Sequence, residues 1–183
     1  MSSTAATVAG VPVTVDEVDE REALLRAGPA AAALPPAGTS EGRQLRRWLT
    51  QILVTERVVA SEAAALDATA EAAPTENELL PDESARLEIG SITAAALAMP
   101  LGRALFVRVT ADVTVTEADV AGYQTRNPGR FPDSAAVAGH LRAAARRRAF
   151  RVWLDARRAA VVVLAPGYEH PGDPRQPDNT HRH

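Results

Sequence analysis

Cysteine is absent from this chain, and so is lysine; every basic residue is arginine. Without cysteine there are no disulfides, no thiol nucleophiles and no thiolate metal sites. Without lysine there is no Schiff-base chemistry, no pyridoxal phosphate attachment and no phosphate-loop lysine. Aromatic residues make up only 4%, and none interleave with the arginines as they do on nucleic-acid surfaces, so no nucleic-acid partner is expected. The net charge of −3 gives no global pull toward polyanions. No stretch approaches the roughly 20 consecutive apolar residues that span a bilayer. Met1 to Gly10 has neither the basic start nor the apolar run of a signal peptide. A soluble, cytoplasmic protein without a membrane partner is the expectation. No Ser-His-Asp arrangement, Gly-rich phosphate loop or nucleotide fingerprint is present either.

What is present is alanine, leucine and valine in helical rhythm. At 183 residues the chain suits one domain, and a core of small aliphatics with two tryptophans points to close-packed helices. The expected fold class is mainly α with a small β element, as one domain over residues 1–164 and a tail over 165–183. Thr7 to Thr14 reads as a strand, a turn at Gly10 and a second extended piece, with Pro12 suited to an edge. Thr14 and Glu17 form a capping box that opens a helix over residues 15–26. Residues 28–42 form a Pro/Ala-rich linker. A helix over 41–66 carries Leu45, Trp48, Leu49, Ile52, Val59 and Ala63 on one face. Glu56 beside that stripe is expected to pair with an arginine. Residues 67–81 read as a loop. A helix over 82–99 has Leu87, Ile89, Ile92, Ala95 and Ala96 as its core, and Pro100 breaks it. Further helices cover 101–109, 117–126 and 134–160. Gly90 and Gly102 inside these patterns are expected to permit close helix approach. The last helix has an apolar stripe of Val137, Leu141, Ala144, Ala145, Ala149, Val152, Trp153 and Ala156, opposite an arginine face. Val161 to Leu164 should leave it as a strand and pair with residues 7–14.

Several segments, in order, resemble SurA- and PrsA-type parvulin folding factors. Val8-Ala9-Gly10-Val11-Pro12-Val13-Thr14, with Glu17 and Val18, resembles the family's opening strand, turn and helix. Leu53 to Ala63 resembles its long helix. Val115-Thr116-Glu117-Ala118-Asp119-Val120, Tyr123, Asn127-Pro128 and Phe131 resemble the segment that leads into the isomerase module. Leu141 to Leu164 resembles the C-terminal helix and strand. The resemblance implies a SurA-like helical scaffold and chaperone-like binding. It does not imply prolyl isomerase activity, because Phe131 is followed at once by Pro132-Asp133-Ser134 and the last helix, with no module between.

The leading expectation is a non-enzymatic, chaperone-like or partner-binding module. Its apolar groove would be lined by Trp48, Ile52, Val59, Val152 and Trp153, and would take an apolar peptide, a protein partner or a hydrophobic small molecule. An exposed apolar seam could also drive homodimerisation. The alternative is a small enzyme or metal-binding accessory factor using the tail. Ala- and Arg-rich chains of this kind resemble proteins of aromatic polyketide pathways, for which the groove would hold a polycyclic substrate. His170, His181 and His183 would be the ligands of a transition metal. Tyr168, Glu169, His170 and Asp173, with Arg175 or Arg182, are the catalytic candidates. The composition of the tail otherwise predicts a solvated segment or, where it is ordered, one docked on the rest of the chain. The arginine face (Arg142, Arg146, Arg147, Arg148, Arg151) suits an acidic partner or phosphates, or a solvated surface. His140 reads as a surface or packed histidine, and Tyr123 as a core-to-boundary residue.

Overall fold

The computed structural model describes residues 3–71, 73–175 and 178. Among these residues are eight α-helices and one small sheet: β1 (Thr4–Val8), β2 (Val11–Thr14), α1 (Val15–Arg26), α2 (Ser40–Ala65), α3 (Glu76–Leu79), α4 (Glu83–Ile89), α5 (Ser91–Ala98), α6 (Pro100–Val109), α7 (Glu117–Arg126), α8 (Ser134–Val161) and β3 (Val162–Leu164). The protein is therefore mainly α, with a three-stranded antiparallel sheet that joins the N-terminal strands to a C-terminal one. The chain divides into two compact units, residues 1–58 with 158–183 and residues 59–157.

In the first unit β1 is the central strand, in the order β2-β1-β3. Val8 pairs with both Val11 and Val162, and Ala6 with both Val13 and Leu164. Pro12 lies on β2, an edge strand, where a missing N–H does no harm. The two-residue hairpin loop has positive φ at both Ala9 (48°) and Gly10 (82°). That is the mirror-image turn whose twist matches the strands. Alanine there is strained by about 1 kcal/mol, and the Ala9 N–H donates to Val161 O at 2.8 Å, which fixes it. Thr14 ends β2 and caps α1: its hydroxyl accepts from Glu17 N–H at 3.2 Å while its own N–H donates to Glu17 at 2.7 Å. The small core is Ala5, Val18 and Leu49, covered by Leu25, Leu45, Trp48, Leu53 and Tyr168.

The second unit is packed around Leu105, Phe106, Phe150, Leu154, Ile89 and Leu97, all buried. The Phe106 and Phe150 rings meet edge to face at 5.3 Å, and Trp153 stacks on Phe150 at 5.7 Å. α5 and α6 meet at a bend of 108°, with Pro100 in the first turn of α6, where its missing N–H costs nothing. A Cβ on Gly102 would lie 1.9 Å from the carbonyl oxygen of Ala96, so only glycine lets these two backbones approach. No single helix among the described residues is long and apolar enough to cross a membrane.

Five sequence expectations need correction. The segment 82–99 is two helices, because Gly90 adopts φ 81°, ψ 156° and interrupts the ladder; its Cβ position is open, so its role is conformational and not one of close approach. Leu87 is 75% exposed and is not core. The 67–81 loop contains α3, a single turn started by a Thr75–Glu78 capping box. The linker contains a 3-10 turn at Ala31–Ala33. On α8 the buried positions are Val137, Arg147, Phe150 and Leu154. Val152 is 62% exposed, Ala156 is exposed, and Arg147, read as solvent-facing, is buried.

Candidate functional site

The α7–α8 hairpin, within the second unit, carries two open grooves. α7 is started by a reciprocal box: Thr116 Oγ1 accepts from Asp119 N–H at 3.1 Å, and Asp119 accepts from Thr116 N–H at 3.1 Å and from Thr116 Oγ1 at 2.7 Å. Those bonds from Thr116 hold the Asp119 carboxyl below its usual value. Asn127 ends the helix, donating through its side chain to Tyr123 O at 3.0 Å. Asp133 then caps α8 by accepting from Ala136 N–H at 2.8 Å. An aromatic trio joins the two arms: Phe131 lies 4.9 Å from His140 and 6.0 Å from Tyr123, and Tyr123 lies 5.6 Å from His140. Gln124 and Ser134 exchange hydrogen bonds at 3.2 and 3.3 Å.

Despite these ties no residue of α7 is buried. Between the arms runs an open groove of about 500 Å³, with Val115, Val120, Ala121, Ala135 and Ala138 as its apolar surface and Thr116, Glu117, Gln124 and Ser134 at its margin. Alanines on α8 give it a floor without large side chains to fill it. A second groove of about 310 Å³ is lined by Thr114, Val115, Asp119, Arg126, Leu141, Ala144, Ala145 and Arg148. Asp119 and Arg126 lie about half a turn around α7 from Glu117, Ala121 and Gln124, so the two grooves flank opposite faces of this helix.

The five residues expected to line a groove are divided between the two units: Trp48 and Ile52 belong to the first, Val59, Val152 and Trp153 to the second. Within the first unit Trp48 packs on the Ala5–Val18–Leu49 cluster. Val59 is buried, and Trp153 is held against Phe150. The residues that do line open grooves (Val120, Ala121, Ala135, Ala138) were not singled out by periodicity. Small residues on a short helix give little amphipathic contrast, and the useful signal was the spacing of two capping motifs around Asn127-Pro128-Gly129.

In the first unit the start of the tail is folded onto α2. Arg47, which is buried, donates to Gly167 O at 3.0 Å and to Asp178 at 2.9 Å. Arg43 holds the same carboxylate through two bonds, at 2.9 and 2.5 Å. The hydrogen bonds from Arg43 hold the Asp178 carboxyl well below the usual aspartate range, with Arg47 adding to them. Tyr168, a catalytic candidate, packs against the small core. Burial opposes the charge of Arg46, yet Asp19, Tyr168 and Glu22 outweigh it and hold its guanidinium above the ordinary value. Glu169 accepts from Gly167 N–H at 2.8 Å. His170 Nδ1 accepts from Gly172 N–H at 2.9 Å, leaving Nε2 to carry the proton of the neutral ring. Burial, then the charge of Arg158, pushes the His170 pKa down. Asp173 is held at about 2 by its hydrogen bonds from Arg175. His181, Arg182 and His183 lie outside the described residues. Among the described residues no three metal-ligating side chains converge.

The arginine face of α8 is mixed. Arg147 and Arg148 share Glu88 at 3.6 and 3.8 Å, and Arg151 lies 3.9 Å from Asp155. Arg142 donates to Val113 O at 3.1 Å. Arg146 donates to Thr110 Oγ1 at 2.8 Å with its guanidinium 5.0 Å above the Phe106 ring.

Against known proteins the chain yields one match to a family model, over residues 4–41, described as a family of unknown function (DUF7158). That stretch is the β1–β2 hairpin, α1, the linker and the first residues of α2, and it excludes the α7–α8 hairpin. No curated protein and no solved structure matches.

Proposed function

We propose that this protein is a non-enzymatic, chaperone-like binding module that holds an apolar segment of a partner protein in the α7–α8 groove, without prolyl isomerase activity. The observation that carries this reading is the open groove of about 500 Å³ beside a helix none of whose residues is buried. A short helix of this length is marginal without a packed face. Covering Val115, Val120 and Ala121 with apolar side chains of a partner would remove that surface from water and stabilise the hairpin at the same time. The alanine floor supports the reading further, since Ala135 and Ala138 admit side chains of varied shape. The resemblance of residues 115–131 to a segment of SurA-type folding factors points the same way.

The test is anisotropy of a labelled leucine-rich peptide with wild-type protein and with Ala138→Phe, which fills the groove. Binding that drops at least tenfold in the variant, with an unchanged thermal midpoint, is the expected result. Equal binding by both proteins would remove the groove from the function. Sedimentation of the free protein separates the competing occupant: a dimer that dissociates on peptide addition would mean that a second copy normally covers this surface.

A further inference from the structure

Between residues 113 and 151 the sequence places seven arginines against three carboxylates, in a chain whose net charge is −3. Two of those carboxylates are engaged in starting helices: Asp119 by Thr116 and Asp133 by Ala136. Glu117 lies at the margin of the larger groove. Four of the arginines, Arg126, Arg130, Arg142 and Arg146, have no ion-pair partner among the described residues. Arg148 reaches Glu88 only at 3.8 Å and remains mostly exposed. Burial, then the charge of Arg142, pushes the Arg146 guanidinium below its ordinary value. Two of these cations, Arg126 and Arg148, line the smaller groove with Leu141, Ala144 and Ala145, together with one carboxylate, Asp119, which accepts from Thr116 N–H and Oγ1.

We propose that this smaller groove is an acid-recognition site, and that the segment bound by the hairpin is an acidic amphipathic peptide whose carboxylates meet Arg126 and Arg148. The inference rests on the groove reading above and deepens it by giving the partner's chemistry. The two grooves share Val115 and flank one helix, so a segment with an apolar and an acidic side can address both. Guanidinium groups suit carboxylates because their forked donors match two oxygens. The apolar floor between the arginines favours a peptide side chain over a bare phosphate chain, and no aromatic residue is offered for base stacking.

The experiment uses full-length protein and three labelled helical peptides with one leucine face and a polar face of glutamate, glutamine or lysine. Wild-type protein is expected to bind the glutamate peptide roughly tenfold tighter than the glutamine copy at low salt, with the lysine copy weakest. The double variant Arg126→Gln/Arg148→Gln should lose that preference. Its circular dichroism and thermal midpoint should match wild type. If the glutamine copy binds and glutamate adds nothing, the groove reading stands and the acid inference falls. A glutamate preference that survives in the double variant also overturns it. If no peptide binds, both readings fall together. A labelled DNA duplex that outcompetes the glutamate peptide, with a steep salt slope, would replace the peptide by nucleic acid and overturn the proposal.

Discussion

Arginine does different work in the two units. In the first, Arg21 grips Glu56 through two bonds of 2.9 and 2.8 Å, Arg26 meets Glu22 at 2.7 Å, and Arg46 meets Asp19 at 2.6 Å and Glu22 at 2.8 Å. Arg57 pairs with Glu17, and Arg43 and Arg47 close on Asp178. In the second unit Arg86–Glu76 and, near the end of α8, Arg157–Glu62 are tight pairs, while the arginines between residues 126 and 151 find at most carbonyls, hydroxyls, a ring face or carboxylates at 3.6 Å and beyond. The first unit has a small apolar cluster with no phenylalanine, and its charges stitch helices and tail to one another. The second has the Phe106–Phe150–Trp153 stack at its centre. Paired charges are committed to the fold; unpaired ones remain available to a partner.

The sharpest way to expose this contrast is to remove packing from one unit and charge from the other. Phe150→Ala deletes the ring at the centre of the second unit's stack and should cost about 3–5 kcal/mol, read as a lower urea midpoint that salt does not restore. Arg47→Ala should cost the first unit less, about 2 kcal/mol, through lost charged hydrogen bonds and stem packing. If Arg47→Ala proves neutral, the paired arginines are ornament and the contrast between the units fails. Acid provides an independent check on the same clamp. Because Asp178 is held below the ordinary aspartate value of 3.8, its contribution is complete above that value and is lost as pH falls through it and below. Asp178→Asn should therefore lower stability at neutral pH and flatten the acid limb of the stability curve. An acid limb unchanged in the variant would show that the clamp does not hold in solution.

How much of this was legible in the sequence depends on how local the cause is. The Thr14–Glu17 box, the two-residue hairpin turn and the strand at Val162–Leu164 are set by nearby residues, and the sheet joining both chain ends followed from them. Glu56 was expected to meet an arginine, and Arg21 supplies it. The face of α8 was misread because alanine lies all around it and blurs the apolar stripe. Packing then chose Phe150 and Leu154, and buried Arg147 as well. Gly90 was read as a packing residue because a glycine's φ is decided by its surroundings, not by its neighbours in sequence. The grooves at α7 leave no signature in the sequence for a related reason. They arise from what small residues leave unfilled, and no periodicity reports an absence. The composition of the tail suits a solvated segment or one docked on the helices, and no periodicity chooses between them; Gly167 and Asp178 are held by Arg47 on α2, more than a hundred positions away.

The smallest expected change in stability carries the most weight for function. Arg126→Gln and Arg148→Gln remove two exposed charges that close no tight ion pair, so the thermal midpoint should move by the equivalent of at most about 0.5 kcal/mol. The direction is informative. If these cations only repel their neighbours, neutralising them raises stability slightly at low ionic strength, and added salt erases the gain by screening the wild type equally well. A fall at all salt concentrations would mean instead that Arg126 or Arg148 holds the hairpin together, as Arg47 holds the tail. The hairpin would then belong with the first unit's pattern of structural charge, and the case for an acidic partner would lose its physical basis. A neutral or salt-sensitive gain together with lost discrimination between glutamate and glutamine peptides leaves one account of these residues: cations kept exposed at the smaller groove for a ligand rather than for the fold.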